Sequence, residues 1–132
     1  MEQVYTREFY RWNRRLSDDS ARLIATTLIN MFEPRSIADV GCATGRWLRA
    51  FSDAGVARCQ GFDGKWVPLD DLLIPKAWFA TVDLSTEMPD ATGFDLAVCL
   101  EVAEHLPCDR SQWRRSAASR KTGCRSMPRA FR

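Results

Sequence analysis

Four short apolar segments, each followed by a polar turn, are spaced along the middle of the chain. They span residues 36–40, 59–63, 78–82 and 94–100, and their length and composition are typical of buried strands. Residues 46–51 carry apolar side chains at helical spacing, and Gly55 can end that helix. The alternation predicts an α/β fold with a Rossmann-like, open, mostly parallel sheet, with helices on both faces and incomplete on its C-terminal side.

The region before the first strand is predicted to contain two helices. The first covers residues 6–16 and has an aromatic face, for which core packing is favoured over covering a ligand. Ser17, Asp18 or Asp19 can cap the second, which extends to Met31 before Pro34. Its predicted buried side chains are Ala21, Ile24, Ala25, Leu28, Ile29 and Phe32. This helix is expected to cover one face of the sheet.

The first predicted strand ends in an acid and a glycine-containing turn, Asp39-Val-Gly-Cys-Ala-Thr-Gly45. Gly41 and Gly45 permit backbone angles that other residues resist, so a ligand can approach the backbone closely. The alternative is a strand-to-helix turn that uses glycine for its geometry alone. The spacing differs from the Gly-x-Gly-x-x-Gly dinucleotide pattern, and the sequence contains no Gly-x-x-x-x-Gly-Lys phosphate loop.

Each predicted strand has an acidic residue at its end or directly after it, and parallel strands bring their carboxyl ends to one edge of the sheet. These residues are Asp39, Asp63, Asp83 and Glu101. Asp63 lies roughly twenty residues beyond the glycine turn, where a carboxylate can accept hydrogen bonds from both hydroxyls of a ribose. An isolated acid there is more often a turn residue, so this assignment depends on the glycine turn.

Length and charge bound the remaining possibilities. The 132 residues suffice for one small domain, predicted for residues 1–107. Residues 108–132 contain seven Arg and one Lys against Asp109, a charge of +7, which leaves −5 elsewhere from the total of +2. This tail contains no Leu, Ile or Val, and we expect a disordered or aberrant, frameshifted end more than an evolved basic arm. Nucleic-acid binding through the tail is the alternative.

The glycine turn resembles motif I of the class I S-adenosylmethionine-dependent methyltransferases, an acid, any residue, then Gly-x-Gly-x-Gly. Ala43 stands at the position of the middle glycine. The resemblance continues through Gly61-Phe-Asp63, through Val82-Asp83-Leu84 and around the fourth strand as far as Leu106, so it covers about residues 20–107.

The resemblance implies S-adenosylmethionine as cofactor and assigns residues to its parts. The turn from Gly41 to Gly45 would lie against the methionine portion, with Asp39 holding the amino group and Asp63 the ribose. Gly64 to Trp66 would flank the adenine, Asp83 would accept its amino group and the Leu84 amide would donate to a ring nitrogen. A sulfonium tolerates a rim of carboxylates that a polyphosphate would not, which argues against an NAD or ATP site. The implied cofactor-binding residues are Asp39, Gly41, Cys42, Ala43, Gly45, Asp63, Gly64, Trp66, Asp83, Leu84 and Leu100.

The segment after the fourth strand, Glu101-Val-Ala-Glu104-His105, supplies the candidate catalytic residues. Such a cluster resembles the metal-ligand segment of small-RNA 2′-O-methyltransferases, but similar sequences occur in methyltransferases without a metal. Acid–base chemistry and structural capping are both favoured over metal binding, and no metal is assigned. His105 is the first candidate for assisting deprotonation of the acceptor.

The sequence therefore predicts an S-adenosylmethionine-dependent methyltransferase whose acceptor and oligomeric state are open. We expect the 132-residue chain to be a poor enzyme, since it has no room for the last strands of such a fold. A non-catalytic cofactor-binding module is the main alternative. The sequence contains neither a secretion signal nor an apolar run long enough to span a membrane, so a cytoplasmic location without a membrane partner is predicted.

Overall fold

A computed structural model describes residues 14–100 of the chain. Within that range, two helices and four strands follow the predicted order. They are α1 (Arg14–Phe32), β1 (Ser36–Val40), α2 (Arg46–Asp53), β2 (Arg58–Asp63), β3 (Phe79–Thr81) and β4 (Leu96–Val98). Two 3₁₀ turns, Leu69–Asp71 and Lys76–Trp78, lie between β2 and β3. The predicted boundary at residue 107 and the basic tail lie outside the described residues.

All four strands are parallel and form one sheet in the order β3-β2-β1-β4. β1 is buried along its whole length, as a short, continuous apolar run predicts for a strand covered on both faces. Asp39 on β1 is in register with Gly61 on β2 and with Val98 on β4. The predicted α/β, Rossmann-like arrangement is therefore confirmed, and the carboxyl ends of the strands share one edge.

Helix α1 differs from its prediction at two points. It continues without interruption from Arg14, so the predicted break before Ser17 is wrong. Asp18 does not cap a helix there; its carboxylate pairs with the Arg46 guanidinium of α2 at 3.2 Å. Ala21 and Ala25 are buried as predicted, but Ile24 is 36% exposed because it lies at the flank of the stripe that faces the sheet. The predicted helix over residues 6–16 lies mostly outside the described residues.

Two apolar clusters cover the faces of the sheet. Both described helices contribute to the larger one, in which Ala25, Leu48 and Phe51 pack with Ile37 of β1. The smaller cluster contains Ala38, Val40, Phe62 and Leu84, with partly buried residues from 80 to 99 around it. Alternation along β1 and β2 accounts for the division, since successive side chains point to opposite faces.

Asp95 fastens β1 to β4 at the amino ends of the strands. Its Oδ2 accepts hydrogen bonds from the Arg35 amide at 2.8 Å and the Ser36 amide at 3.1 Å. In return, the Asp95 amide donates to Ser36 Oγ at 2.9 Å. This arrangement lies at the edge of the sheet opposite Asp39 and Asp63, and it provides a control for the experiments below.

Candidate functional site

The turn between β1 and α2 is held against β2 by its own backbone. The amides of Gly41 and Cys42 both donate to the Phe62 carbonyl, at 2.7 and 3.2 Å. Gly41 and Gly45 have φ angles of 83° and 84°, in the left-handed region that favours glycine. Ala43 has φ 48° and lies in the same region. The middle position of the turn thus has the conformation a glycine would adopt most easily, although alanine occupies it.

Gly45 has a packing role that the sequence did not indicate. A Cβ at this position would lie 2.7 Å from Ile74, whose buried side chain covers the turn. The Leu73 amide donates to the Thr44 carbonyl at 2.8 Å and fixes that segment in place. The only sequence signal for this contact is the apolar triplet 72–74, which lies between Asp71 and Pro75.

Cys42 turns its side chain into the core. The residue is 2% exposed, and its Sγ would lie 2.6 Å from a Cβ at Gly61. Burial is the main cause that raises the pKa of the thiol, and the charges of Asp39 and Asp63 raise it further. A contribution of Cys42 to cofactor binding would therefore come from its backbone.

Asp63 connects the end of β2 to the glycine turn. Its Oδ2 accepts the Ala43 amide at 2.6 Å and its Oδ1 accepts the Gly64 amide at 2.7 Å. Burial raises the pKa of Asp63, and the hydrogen bonds from the Gly64 and Ala43 amides oppose the rise because they stabilise the charged form. The carboxylate is thus held in one orientation beside the turn.

Asp39 is the second carboxylate at this edge. It is 1% exposed, and alternation along the strands places it on the same face of the sheet as Gly61 and Asp63. Among the described residues, no donor forms a hydrogen bond with Asp39 Oδ2. Burial, and next the charge of Asp63, raises the pKa of Asp39 to about 7. A buried oxygen in this position favours a ligand that carries a cation or an N–H donor.

Trp66 lies directly on Gly64. A Cβ at Gly64 would be 2.1 Å from Cη2 of the indole, so only glycine leaves room for the ring. The Val67 amide donates to the Gly64 carbonyl at 3.2 Å and closes the turn, and the Val67 side chain is buried. The predicted adenine-flanking residues are therefore next to Asp63, with the indole packed over the backbone.

Asp83 and Leu84 follow β3 at the same edge. Asp83 is exposed, and its Oδ1 accepts both the hydroxyl and the amide of Ser85, which hold the pKa of this carboxyl below its usual value. Its carbonyl accepts the amides of Thr86 and Glu87 at 3.0 and 2.8 Å, so Asp83 also organises the local turn. The buried Leu84 side chain fixes the backbone against the smaller cluster. Their contacts with adenine stay predictions.

The predicted catalytic residues are not among those that the structure describes. Leu100 is partly buried and ends the described range, while Glu101, Glu104 and His105 lie beyond it. Within residues 14–100, no three His, Cys, Asp or Glu side chains are grouped so that they could hold a metal ion. Neither described helix combines the length and apolar composition of a membrane span.

Comparison with known proteins agrees with this geometry. A family model described as a methyltransferase domain matches residues 7–120. No curated protein and no solved structure shows significant similarity to the chain. The match spans most of the sequence and includes the parallel sheet, the glycine turn and both buried carboxylates. The resemblance found in the sequence is confirmed, and the chain belongs to the methyltransferase domain family.

Proposed function

We propose that this chain binds S-adenosylmethionine at the carboxyl ends of β1 and β2 and that the bound cofactor serves methyl transfer. The observation that carries the proposal is the position of Asp63. Its carboxylate is held by the amides of Ala43 and Gly64, beside a second buried carboxylate whose Oδ2 lacks a donor among the described residues. Family membership supports the reaction class, and these contacts support the cofactor.

The residues at this edge fit the two polar ends of the proposed cofactor. A carboxylate has about four acceptor positions, so Asp63 has capacity for ribose hydroxyls as well as for the two backbone amides. Asp39 offers a negatively charged hydrogen-bond acceptor to an ammonium group. The left-handed turn between them exposes backbone without a large side chain, since its residues at 41, 43 and 45 are Gly, Ala and Gly.

The cofactor supplies a methyl group on a sulfonium, which is already activated for in-line displacement. The chain's own contribution is then to bind and orient, because catalysis of such a transfer rests on proximity. Asp63 would fix the ribose and Asp39 the amino group, so that the methyl group points toward the acceptor. Removal of a proton from the acceptor is assigned to His105, with Glu101 and Glu104 as neighbouring candidates.

The charge at this edge favours S-adenosylmethionine over polyphosphate cofactors. Asp39 and Asp63 are both buried, and the negative charge of Asp63 helps to raise the pKa of Asp39. Triphosphate or pyrophosphate groups would be repelled by these carboxylates, whereas a cationic ligand would be attracted. ATP and NAD therefore serve as matched negative controls, since both contain adenosine.

Titration calorimetry tests the proposal with S-adenosylhomocysteine, the demethylated product, on the full chain. We expect saturable binding with one site per chain, and no measurable heat with ATP or NAD at the same concentrations. Tighter binding of ATP or NAD than of S-adenosylhomocysteine would contradict the proposal. So would the absence of S-adenosylhomocysteine binding near 1 mM, because a Kd of that size corresponds to a binding free energy of only roughly 4 kcal/mol.

A further inference from the structure

We propose that Arg46 binds the carboxylate of the amino-acid part of the cofactor and thereby makes the site selective for ligands that carry this group. The inference rests on the proposed function, since it adds a contact to the same ligand. The methionine portion of S-adenosylmethionine ends in an ammonium and a carboxylate, and Asp39 is proposed for the ammonium. A ligand carboxylate that lies near the buried Asp39 and Asp63 needs a cation beside the glycine turn to offset their repulsion.

Arg46 lies at the edge of the sheet where this cation is needed. It is the first residue of α2 and directly follows Gly45, the last residue of the glycine turn. Side chains of an α-helix tilt toward its amino end, and the amino end of α2 is the end beside the turn. The Arg46 side chain is therefore directed toward the edge that contains Asp39 and Asp63.

An ion pair shows that a carboxylate already fits against this guanidinium. Arg46 Nη1 lies 3.2 Å from Asp18 Oδ1, and Asp18 belongs to the first turns of α1. Because residues 33–35 join the end of α1 to the start of β1, the amino end of α1 lies toward the carboxyl ends of the strands. The Asp18 carboxylate thus occupies a position at this edge that a ligand carboxylate can take.

The exposure of the two side chains favours the replacement of Asp18 by a ligand. The Arg46 side chain is 13% exposed, so water screens its charge only in part. The Asp18 side chain is 52% exposed, and an ion pair to such an exposed group contributes little to stability. A ligand carboxylate can therefore approach the guanidinium from solvent and displace Asp18 at small cost.

Lys65 also adjoins this edge, but its surroundings favour a different role. It follows β2, on the side of the site that is proposed for ribose and adenine. The pKa of Asp83 is lowered by hydrogen bonds from Ser85 and also by the charge of Lys65. The methionine portion is proposed to lie against the glycine turn, which Arg46 adjoins directly. Arg46 is therefore the stronger candidate for the carboxylate.

The test compares two ligands that differ in the carboxylate, S-adenosylhomocysteine and its decarboxylated analogue, by titration calorimetry on the full chain. Both ligands retain the adenosine and an amino group. We expect the unaltered chain to bind S-adenosylhomocysteine roughly tenfold to hundredfold more tightly than the analogue, the range for a hydrogen bond to a charged group. In Arg46→Gln the two Kd values should become nearly equal, because glutamine carries no charge.

Asp18→Asn is the matched control, since it removes the same ion pair but keeps the guanidinium. It should retain the preference for S-adenosylhomocysteine and bind this ligand at least as tightly as the unaltered chain. Arg49→Gln removes an exposed cation of α2 that pairs with Asp53 at 3.3 Å, and it should also retain the preference. Arg46→Lys should recover part of the preference, because lysine keeps the charge without the planar arrangement of N–H donors.

Equal affinity of the unaltered chain for the two ligands would overturn the inference while the proposed function stands. This comparison does not depend on how well any variant folds. A preference that survives in Arg46→Gln would also overturn the inference. So would a preference lost equally in Arg46→Gln and Asp18→Asn, because the ion pair would then act through the packing of the helices. Absence of S-adenosylhomocysteine binding by the unaltered chain would overturn both the inference and the proposed function.

Discussion

The Ala43 amide donates a 2.6 Å hydrogen bond to Asp63 Oδ2 and so joins two residues that lie twenty positions apart in the sequence. The bond connects the glycine turn after β1 to the end of β2. It fixes the orientation of the carboxylate that we propose for the ribose. The arrangement depends on the left-handed backbone of Ala43, which aims its amide at β2.

Replacement of Ala43 by glycine should leave the free energy of unfolding unchanged or raise it by up to about 1 kcal/mol. The left-handed backbone costs alanine roughly 1–2 kcal/mol, which exceeds the added entropy that glycine loses on folding. Ala50→Gly is the control, since Ala50 lies in helix α2 and the same change there should cost about 1 kcal/mol or more. Urea unfolding measures both. Equal destabilisation by the two variants would contradict the assigned backbone conformation.

The second prediction concerns Gly45 and Ile74. Gly45 and Gly93 have nearly the same φ, 84° and 81°, but a Cβ at Gly45 would lie 2.7 Å from Ile74, while nothing lies within 4 Å of one at Gly93. Gly93→Ala should cost about 1 kcal/mol from backbone strain alone. Gly45→Ala should lower the free energy of unfolding by about 1 kcal/mol more than Gly93→Ala, because an added methyl group at position 45 overpacks the core. Thermal unfolding of both variants measures the two losses of stability. Equal losses would refute the packing role of Ile74.

Asp39 should make the protein less stable as the pH rises from about 4 to about 7. Its pKa is about 7 in the folded chain against a usual value of 3.8, so between these values the folded state holds a proton that the unfolded state has lost. The contribution of Asp39 to the free energy of unfolding is therefore greatest below about pH 4. It declines by a few kcal/mol by about pH 7 and changes little above that.

Asp39→Asn tests this dependence because the amide has nearly the same shape and cannot ionise. The variant should unfold with a flatter pH profile and should be more stable than the unaltered chain at pH 8. The measurement is the urea midpoint at intervals from pH 5 to pH 8. Parallel profiles for the two proteins would show that Asp39 does not titrate in this range.

Ligand binding should release protons from the same group. A cationic amino group beside Asp39 favours the charged carboxylate, so each S-adenosylhomocysteine bound at pH 7 should release a fraction of a proton, and a larger fraction at pH 6. Calorimetry in buffers of different ionisation enthalpy counts these protons. 5′-Methylthioadenosine lacks the amino group and should release none. Equal proton release by both ligands would show that the amino group of S-adenosylhomocysteine does not bind beside Asp39.

The sequence predicts the sheet and the turn well because both depend on local patterns. The apolar run of β1 and the alternation along β2 are sufficient to place Asp39 and Asp63 at one edge and on one face. The positive φ angles at Gly41 and Gly45 follow from the residue type that tolerates them.

Other features depend on contacts between distant residues, which a local pattern does not contain. Asp18 resembles a helix cap in the sequence, but it pairs with Arg46 of another helix. Ile74 covers Gly45 from a segment about thirty residues away, and the indole of Trp66 packs on the backbone of Gly64 only because that residue has no side chain. Asp18, Gly45 and Trp66 can be identified in the sequence, whereas the folded backbone determines their partners.

The most direct test of the account is the effect of Asp63→Ala on the affinity for S-adenosylhomocysteine, compared with Asp95→Ala. Both aspartates accept two backbone amides through their carboxylates, but Asp95 lies at the opposite edge of the sheet. Both variants are expected to lose stability, so calorimetry is performed under conditions where each remains folded. Asp63→Ala should weaken binding by about 1.5 to 3 kcal/mol, the range for a lost hydrogen bond to a charged group, and Asp95→Ala should leave affinity unchanged. Unchanged affinity in Asp63→Ala, or equal losses in both variants, would contradict the assignment of the ribose to Asp63.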